Sequence, residues 1–319
     1  MTIADPRVDQ ALQRFQAGRQ GEAVLALNQL GAAGHGEALR ILGELRWSGQ
    51  FQPSPAAGRE LFAKAAQAGD RQAHYYVTNL MGSGIAGPRD WPGALERLER
   101  EARGDPARAK AAKLLAAMKL DGEGNPRDVS TGEIVSETPH VTRHQRLFGD
   151  GECAYVLAAA RPGYGPSIVY DSQRRLVRDP IRTSEGSTLH WLIEDPALHA
   201  LNRRIAAASG SDADQGEAAQ VLRYAAGQEY KAHFDAVPGA DNQRYLTALV
   251  WLNHDYRGGE TAFLRTGLEL KGKRGDAIVF RNALPDGSMD PLTEHAGRPV
   301  SKGTKYLYSR WIRASRWVP

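Results

Sequence analysis

Residues 222–237 read LRYAAGQEYKAHFDAV, and residues 293–311 read TEHAGRPVSKGTKYLYSRW. The first stretch holds an H-x-D triplet, His233-Phe234-Asp235. Alternate side chains on a strand point to one face, so a histidine and an aspartate two apart can grip one ion. A third candidate ligand, His295, stands far enough along the chain for several antiparallel strands to fold back beside the first. Two histidines and one carboxylate are the donor set that suits iron(II), with half of its octahedron left for a bidentate co-substrate and O2. The remaining histidines form no usable spacing.

Around these two stretches the chain is strand-like. HVTRHQRLFG (140–149), ECAYVLAAA (152–160), SIVYDSQ (167–173) and LVRDPIRTSEGSTLHW (176–191) are short, alternating or β-branched, with turn residues between them. Further strands are expected at AAQVLRYA (218–225), YLTALVWLN (245–253), TAFL (261–264), LELK (268–271), DAIVFRN (276–282) and KYLYSRWIR (305–313). One helix is expected over 195–210, with Asp195 as N-cap, Pro196 in the first turn and Gly210 at its end. Many short antiparallel strands with one or two packing helices suggest a jelly-roll barrel.

The first 120 residues differ in texture. They are rich in Ala, Leu, Gln, Glu and Arg at helical spacing, with Gly or Pro at the breaks and no strand pattern. Gly34, Gly69 and Gly104 are evenly spaced, as are Gly58 and Gly93. A repeat of about 35 residues implies stacked helical hairpins, each too small to bury its apolar face alone. The segments GHGEALRILGELRWSG (34–49), PAAGRELFAKAAQAGDRQAHYYVTNLMGSG (55–84) and WPGALERLEREARGD (91–105) resemble Sel1-like repeats, relatives of the tetratricopeptide repeat. The polar, Gly- and Pro-bearing run after residue 120 marks a boundary. The expected plan is a helical repeat domain over 1–125, a linker over 126–138 and a second domain over 139–319.

Composition bounds the partners. Lys and Arg (41) nearly balance Asp and Glu (37), giving a formal net charge of +4 without long basic runs, so nucleic acid is not the default partner. The basic and aromatic tail residues Arg313, Arg316 and Trp317 make too short a run to change that. The single cysteine, Cys153, excludes an internal disulfide and fits a reducing compartment. No apolar h-region or long apolar run stands in the sequence, so the expectation is a soluble, cytoplasmic protein with no membrane partner.

Six segments in order, IRTSEGSTL (181–189), VLRYAAGQEYKAHFD (221–235), NQRYLTALVWLN (242–253), YRGGETAFL (256–264), GKRGDAIVF (272–280) and EHAGRPVSKGTKYLYSRWI (294–312), carry a family resemblance. Residues from about 139 onward resemble the prolyl 4-hydroxylase branch of the 2-oxoglutarate and iron(II)-dependent dioxygenases. The resemblance implies an α+β multidomain protein, a helical repeat solenoid followed by a double-stranded β-helix (jelly-roll) oxygenase domain. It implies iron held by His233, Asp235 and His295, and 2-oxoglutarate and O2 as co-substrates, and it admits ascorbate. It also implies that Lys305 pairs with the distal carboxylate of 2-oxoglutarate, helped by the Thr261 hydroxyl. A lysine ammonium there supplies charge and up to three donors. Tyr224 and Tyr230 are implied to line the pocket, and Arg244 and Trp311 to contact the substrate. At odd offsets from His233 on one extended strand both tyrosines would face away from it, but the AAGQE loop between them breaks that count. Trp311 alternates with Arg310 and Ile312 in an apolar strand, which also suits a core position.

Three functional readings stand at this point. In the first, the protein hydroxylates a peptidyl, prolyl residue, releasing succinate and CO2, and the helical repeats recruit the protein or peptide substrate on a concave surface. In the second, the substrate is a free amino acid or small metabolite. In the third, the repeats act as a scaffold and the oxygenase domain is vestigial; the intact ligand set and lysine speak against it.

Overall fold

The computed structural model describes residues 5–170, 176–177 and 180–317. The chain divides into two compact units. Among the described residues, one comprises the chain up to Lys113 together with Trp191–Pro196, and the other those of Leu114–His190 and Ala197–Trp317.

The first unit is helical: α1 (Pro6–Gln16), α2 (Gln20–Ala32), α3 (Gly36–Trp47), α4 (Pro55–Gln67), α5 (Arg71–Ser83), α6 (Trp91–Ala102) and the start of α7 (Pro106–Ala116). Side-chain caps begin many of these helices. Asp5, Ser54, Asp70 and Asp90 each accept a hydrogen bond from a backbone N–H of the first turn, satisfying donors that a helix start leaves open. The evenly spaced glycines have two local reasons. Gly34 and Gly69 follow α2 and α4 at φ +84° and +86°, where a side chain would be strained. Gly58 lies against Gly43, where a Cβ would stand 2.9 Å from the Gly43 carbonyl oxygen, so the pair lets α3 and α4 pack closely.

A polar ladder repeats with the hairpins. His35 Nε2 lies 3.1 Å from Asp5 Oδ2, Arg40 donates to Asp70, and Tyr75 donates to Asp105 at 2.8 Å. Each link ties the aspartate at a helix start to the neighbouring hairpin. Within the same unit Asn79 is buried, donating to Leu192 O at 2.7 Å and accepting from Arg108 at 3.0 Å.

The second unit holds the sheets. Its elements in order are β1 (Glu133–Glu137), β2 (His140–His144), α8 (Asp150–Ala160), β3 (Gly165–Pro166), β4 (Val169–Tyr170), β5 (Leu176–Val177), β6 (Glu185–Leu189) and α9 (Pro196–Ser209). There follow β7 (Ala219–Ala225), β8 (Tyr230–His233), β9 (Arg244–Trp251), β10 (Arg257–Gly258), β11 (Thr261–Phe263) and β12 (Leu268–Leu270). The last are β13 (Ala277–Arg281), β14 (His295–Gly297), β15 (Val300–Lys302) and β16 (Thr304–Arg313). An eight-stranded sheet runs β1-β2-β13-β9-β16-β7-β6-β3, and a four-stranded sheet runs β12-β11-β14-β8. The pairings in both are antiparallel, and the architecture is a jelly roll.

Alternation along β16 shows how the core is divided. Tyr308 and Ile312 join Phe148, Cys153, Val156, Leu198, Leu201 and Ile205, so α8 and α9 cover one face of the large sheet. Leu307 joins Leu222, Tyr224, Leu249 and Trp251 with Phe263 and Leu270 of the small sheet, so the other face closes the barrel.

Two expectations change. ECAYVLAAA is a helix, α8, and not a strand: its alanines favour helix, the Glu152 carboxylate accepts from the Gly149 N–H at 2.7 Å, and Cys153, Val156 and Ala160 bury one helical face. Residues 133–137, placed in the linker, form β1 at the edge of the large sheet. Of the expected strands SIVYDSQ and LVRDPIRTSEGSTLHW, residues 171–173 and 178–179 lie outside the described residues.

Candidate metal centre

Strands β8 and β14 pair antiparallel with His233 opposite His295, which brings both rings to the same face, centroids 4.2 Å apart. Asp235 lies in the bend just past β8, not on the strand itself. One ligand atom from each of the three lies within 4.8 Å of the others. His233 Nδ1 donates to Lys231 O at 2.8 Å and His295 Nδ1 to Thr293 O at 2.9 Å. Each ring therefore turns its Nε2 lone pair inward, 3.8 Å and 3.7 Å from the Asp235 carboxylate oxygens.

The electrostatics suit a cation. Burial, and then the neighbouring His295, push His233 down to about 3, so its ring is neutral at pH 7 and able to ligate. Burial alone would raise the Asp235 carboxyl, but His295, His233 and the Thr247 hydroxyl outweigh it, and the group lies below the ordinary carboxylate value. A buried carboxylate with two inward imidazoles and no thiol is a hard and borderline donor set. It fits iron(II) better than a closed structural zinc site, which takes four protein ligands.

The three residues stand at one side of a cavity that opens to solvent. Its wall also carries Arg182, Tyr224, Tyr230, Thr261, Lys305 and Trp311. Lys305 is only 2% exposed. Its Nζ donates to Gly259 O at 2.7 Å and stands 5.4 Å from the centre of the Tyr224 ring, its register partner on β7. Burial brings Lys305 down to about 8. Tyr230 stacks on His233, centroids 3.5 Å apart and planes 14° from parallel, and the Arg182 guanidinium stands 4.8 Å from its ring centre. Burial holds the Tyr230 hydroxyl above its ordinary range. Both tyrosines reach the cavity because the chain turns between β7 and β8.

Trp311 is buried yet lines the cavity, with its Nε1 donor unpaired among the described residues. Arg244 departs from the expectation of a substrate contact. It is not among the cavity-lining residues; its guanidinium binds Glu217 at 2.6 Å and 2.8 Å and covers the Trp311 ring at 3.9 Å. Arg182 was given no role by spacing, although it lies in one of the quoted segments. Its Nε has no partner among the described residues, and no sequence rule links it to Tyr230 across the fold.

Residues 219–313 match the family model of the 2OG-Fe(II) oxygenase superfamily. The chain is 31% identical over 227 residues to probable prolyl 4-hydroxylase 3 of Arabidopsis thaliana, covering 63% of this chain and 78% of that one. It is 34% identical over 201 residues to prolyl 4-hydroxylase 1 of the same plant, covering 57% and 71%. The chain belongs to the prolyl 4-hydroxylase family of 2OG-Fe(II) oxygenases. A solved viral collagen prolyl hydroxylase from Paramecium bursaria Chlorella virus-1, in complex with 2OG, is 27% identical, with 57% of this chain and 99% of that one covered and a TM-score of 0.43. This oxygenase is thus a 2-oxoglutarate-dependent dioxygenase that uses Fe(II), 2-oxoglutarate and O2, and its His-Asp-His set fits the iron.

Proposed function

We propose that the protein hydroxylates a prolyl residue within a peptide or protein. The likeness to plant prolyl 4-hydroxylases carries this reading, and the cavity chemistry supports it. One molecule each of 2-oxoglutarate and O2 and one substrate C–H become succinate, CO2 and C–OH. Bound iron supplies the activation of O2 in that exchange.

The chain's own residues do the rest. His233, Asp235 and His295 hold the metal through two Nε2 atoms and a carboxylate oxygen. Lys305 has one N–H committed to Gly259 O; the remaining donors orient the distal carboxylate of 2-oxoglutarate, with the buried Thr261 hydroxyl beside it. Tyr224 completes that wall. The indole of Trp311 gives a flat, apolar surface on which a pyrrolidine ring packs, and Tyr230, held between His233 and Arg182, borders the same cavity. Arg244 acts through Trp311, which it fixes from behind. The helical unit recruits the protein substrate.

Incubating the iron-loaded protein with 2-oxoglutarate and proline-containing peptides should give a mass gain of one oxygen on proline with matching succinate. His233→Ala should abolish both. Hydroxylation of free amino acids with none on peptides would overturn the reading.

A further inference from the structure

Thr247 lies on β9 between Phe280 and Trp311 in register, and it is fully buried. Its Oγ1 stands 2.7 Å from Asp235 Oδ2 and 2.8 Å from Asn282 Nδ2. A hydroxyl has one proton. An ionised carboxylate only accepts and an amide NH2 only donates. The directions are therefore fixed: Asn282 donates to Thr247, and Thr247 donates to Asp235. Turning the Asn282 amide over would set two acceptors against one hydroxyl proton and leave one of them unpaired. The backbone holds Asn282 in place, because its N–H donates to Tyr245 O at 2.8 Å and its carbonyl accepts from Asp290 N–H at 3.0 Å. Its Oδ1 has no partner among the described residues. Such an unpaired buried oxygen is uncommon and costly, and it accompanies an amide whose other end supports the chain of bonds to Asp235.

We infer that Thr247, held by Asn282, is a positioning residue that restricts Asp235 to binding the metal through Oδ1 alone; this rests on reading His233, Asp235 and His295 as the metal ligands. Oδ2 is engaged by the Thr247 proton, which lowers its donor strength and fixes the carboxylate plane. The two oxygens stand equally near the imidazoles, Oδ1 at 3.8 Å from His233 Nε2 and Oδ2 at 3.7 Å from His295 Nε2, and the Thr247 bond to Oδ2 is what distinguishes them. The consequence is a donor count. Two nitrogens and one oxygen leave three of six octahedral positions, enough for a bidentate keto acid and O2 together; a two-oxygen Asp235 would leave too few.

The test uses the full-length metal-free protein and Co(II), whose visible absorption reports coordination number as well as binding. Thr247→Val keeps the shape and removes the proton. It should weaken Co(II) binding by about ten- to a hundredfold and change the band shape towards a two-oxygen carboxylate, whereas Thr247→Ser should bind and absorb like the unaltered protein. Melting temperatures of the metal-free variants check folding. If Thr247→Val does not fold, Asn282→Ala, which leaves the hydroxyl but frees its rotation, should still weaken Co(II) binding and alter the band. Unchanged affinity and spectrum in a folded variant would overturn the inference. Failure of the parent reading looks different: Asp235→Ala would then bind Co(II) as well as the unaltered protein.

Discussion

A lysine taken out of water beside an aromatic face holds its proton less firmly, and Lys305 falls to about 8. Its pairing with a carboxylate requires the ammonium. In the absence of 2-oxoglutarate the competent form dominates at pH 7 and is the minor form at pH 9, so affinity is lost as pH rises through the lysine's pKa. The dissociation constant for 2-oxoglutarate on the Mn(II)-loaded protein should rise roughly tenfold between those pH values. Lys305→Arg should remove most of that rise, because a guanidinium keeps its proton; calorimetric titration at several pH values measures both, and a flat profile for the unaltered protein would count against the pairing. The ligands that residue type and spacing name in the sequence, His233, Asp235 and His295, and the groups that the family resemblance implies, Thr261, Lys305, Tyr224 and Tyr230, all line one cavity. The Asn282-Thr247-Asp235 chain and the Arg182-Tyr230 stack were not legible, since each exists only through strand pairing and bends between distant segments.

At the scale of elements, β-branched and aromatic residues between turn signals made β7, β9, β13 and β16 readable as strands, although each is buried on both faces, one on the helices and the other in the barrel. The segment that became α8 shows where such reading fails: a continuous apolar run has no period to separate a buried strand from a buried helix. The deciding information is polar and partly distant. Glu152 caps Gly149 and also binds Arg204 of α9 at 2.6 Å and 2.9 Å, both side chains being mostly buried. Glu152→Ala removes the cap and leaves the Arg204 charge without its partner. Urea unfolding should show a loss of about 2 kcal/mol, whereas Leu25→Ala, at a site 61% exposed, should change stability by less than about 0.5 kcal/mol. Equal effects would mean that the ion pair does not hold α8 to α9.

At the scale of the whole molecule, helical periodicity in the first third and strand patterns in the rest separate two kinds of structure, and the evenly spaced glycines reflect helix ends and a close helix contact. Their limits were harder to read: β1 begins inside the expected linker, and Trp191–Pro196, between β6 and α9, clusters with the helices. That segment has local sequence like any loop, and only the Asn79 bond to Leu192 O and similar contacts assign it. The division of labour proposed for the two units has a kinetic signature. Recruitment by residues 1–113 contributes equally to ground and transition states, so its loss should appear in KM and not in kcat. A chain beginning at Leu114 should hydroxylate a short proline peptide as the full chain does, while its kcat/KM for a protein substrate falls by about tenfold or more. Asn79→Ala in the full chain separates this from a loop effect, since it removes the Leu192 bond and keeps the helical surface. If the protein substrate is turned over with an unchanged specificity constant after the deletion, the helices do not recruit it. If the short peptide is lost as well, and Asn79→Ala reproduces that loss, the helical unit serves the oxygenase by holding the 191–196 segment.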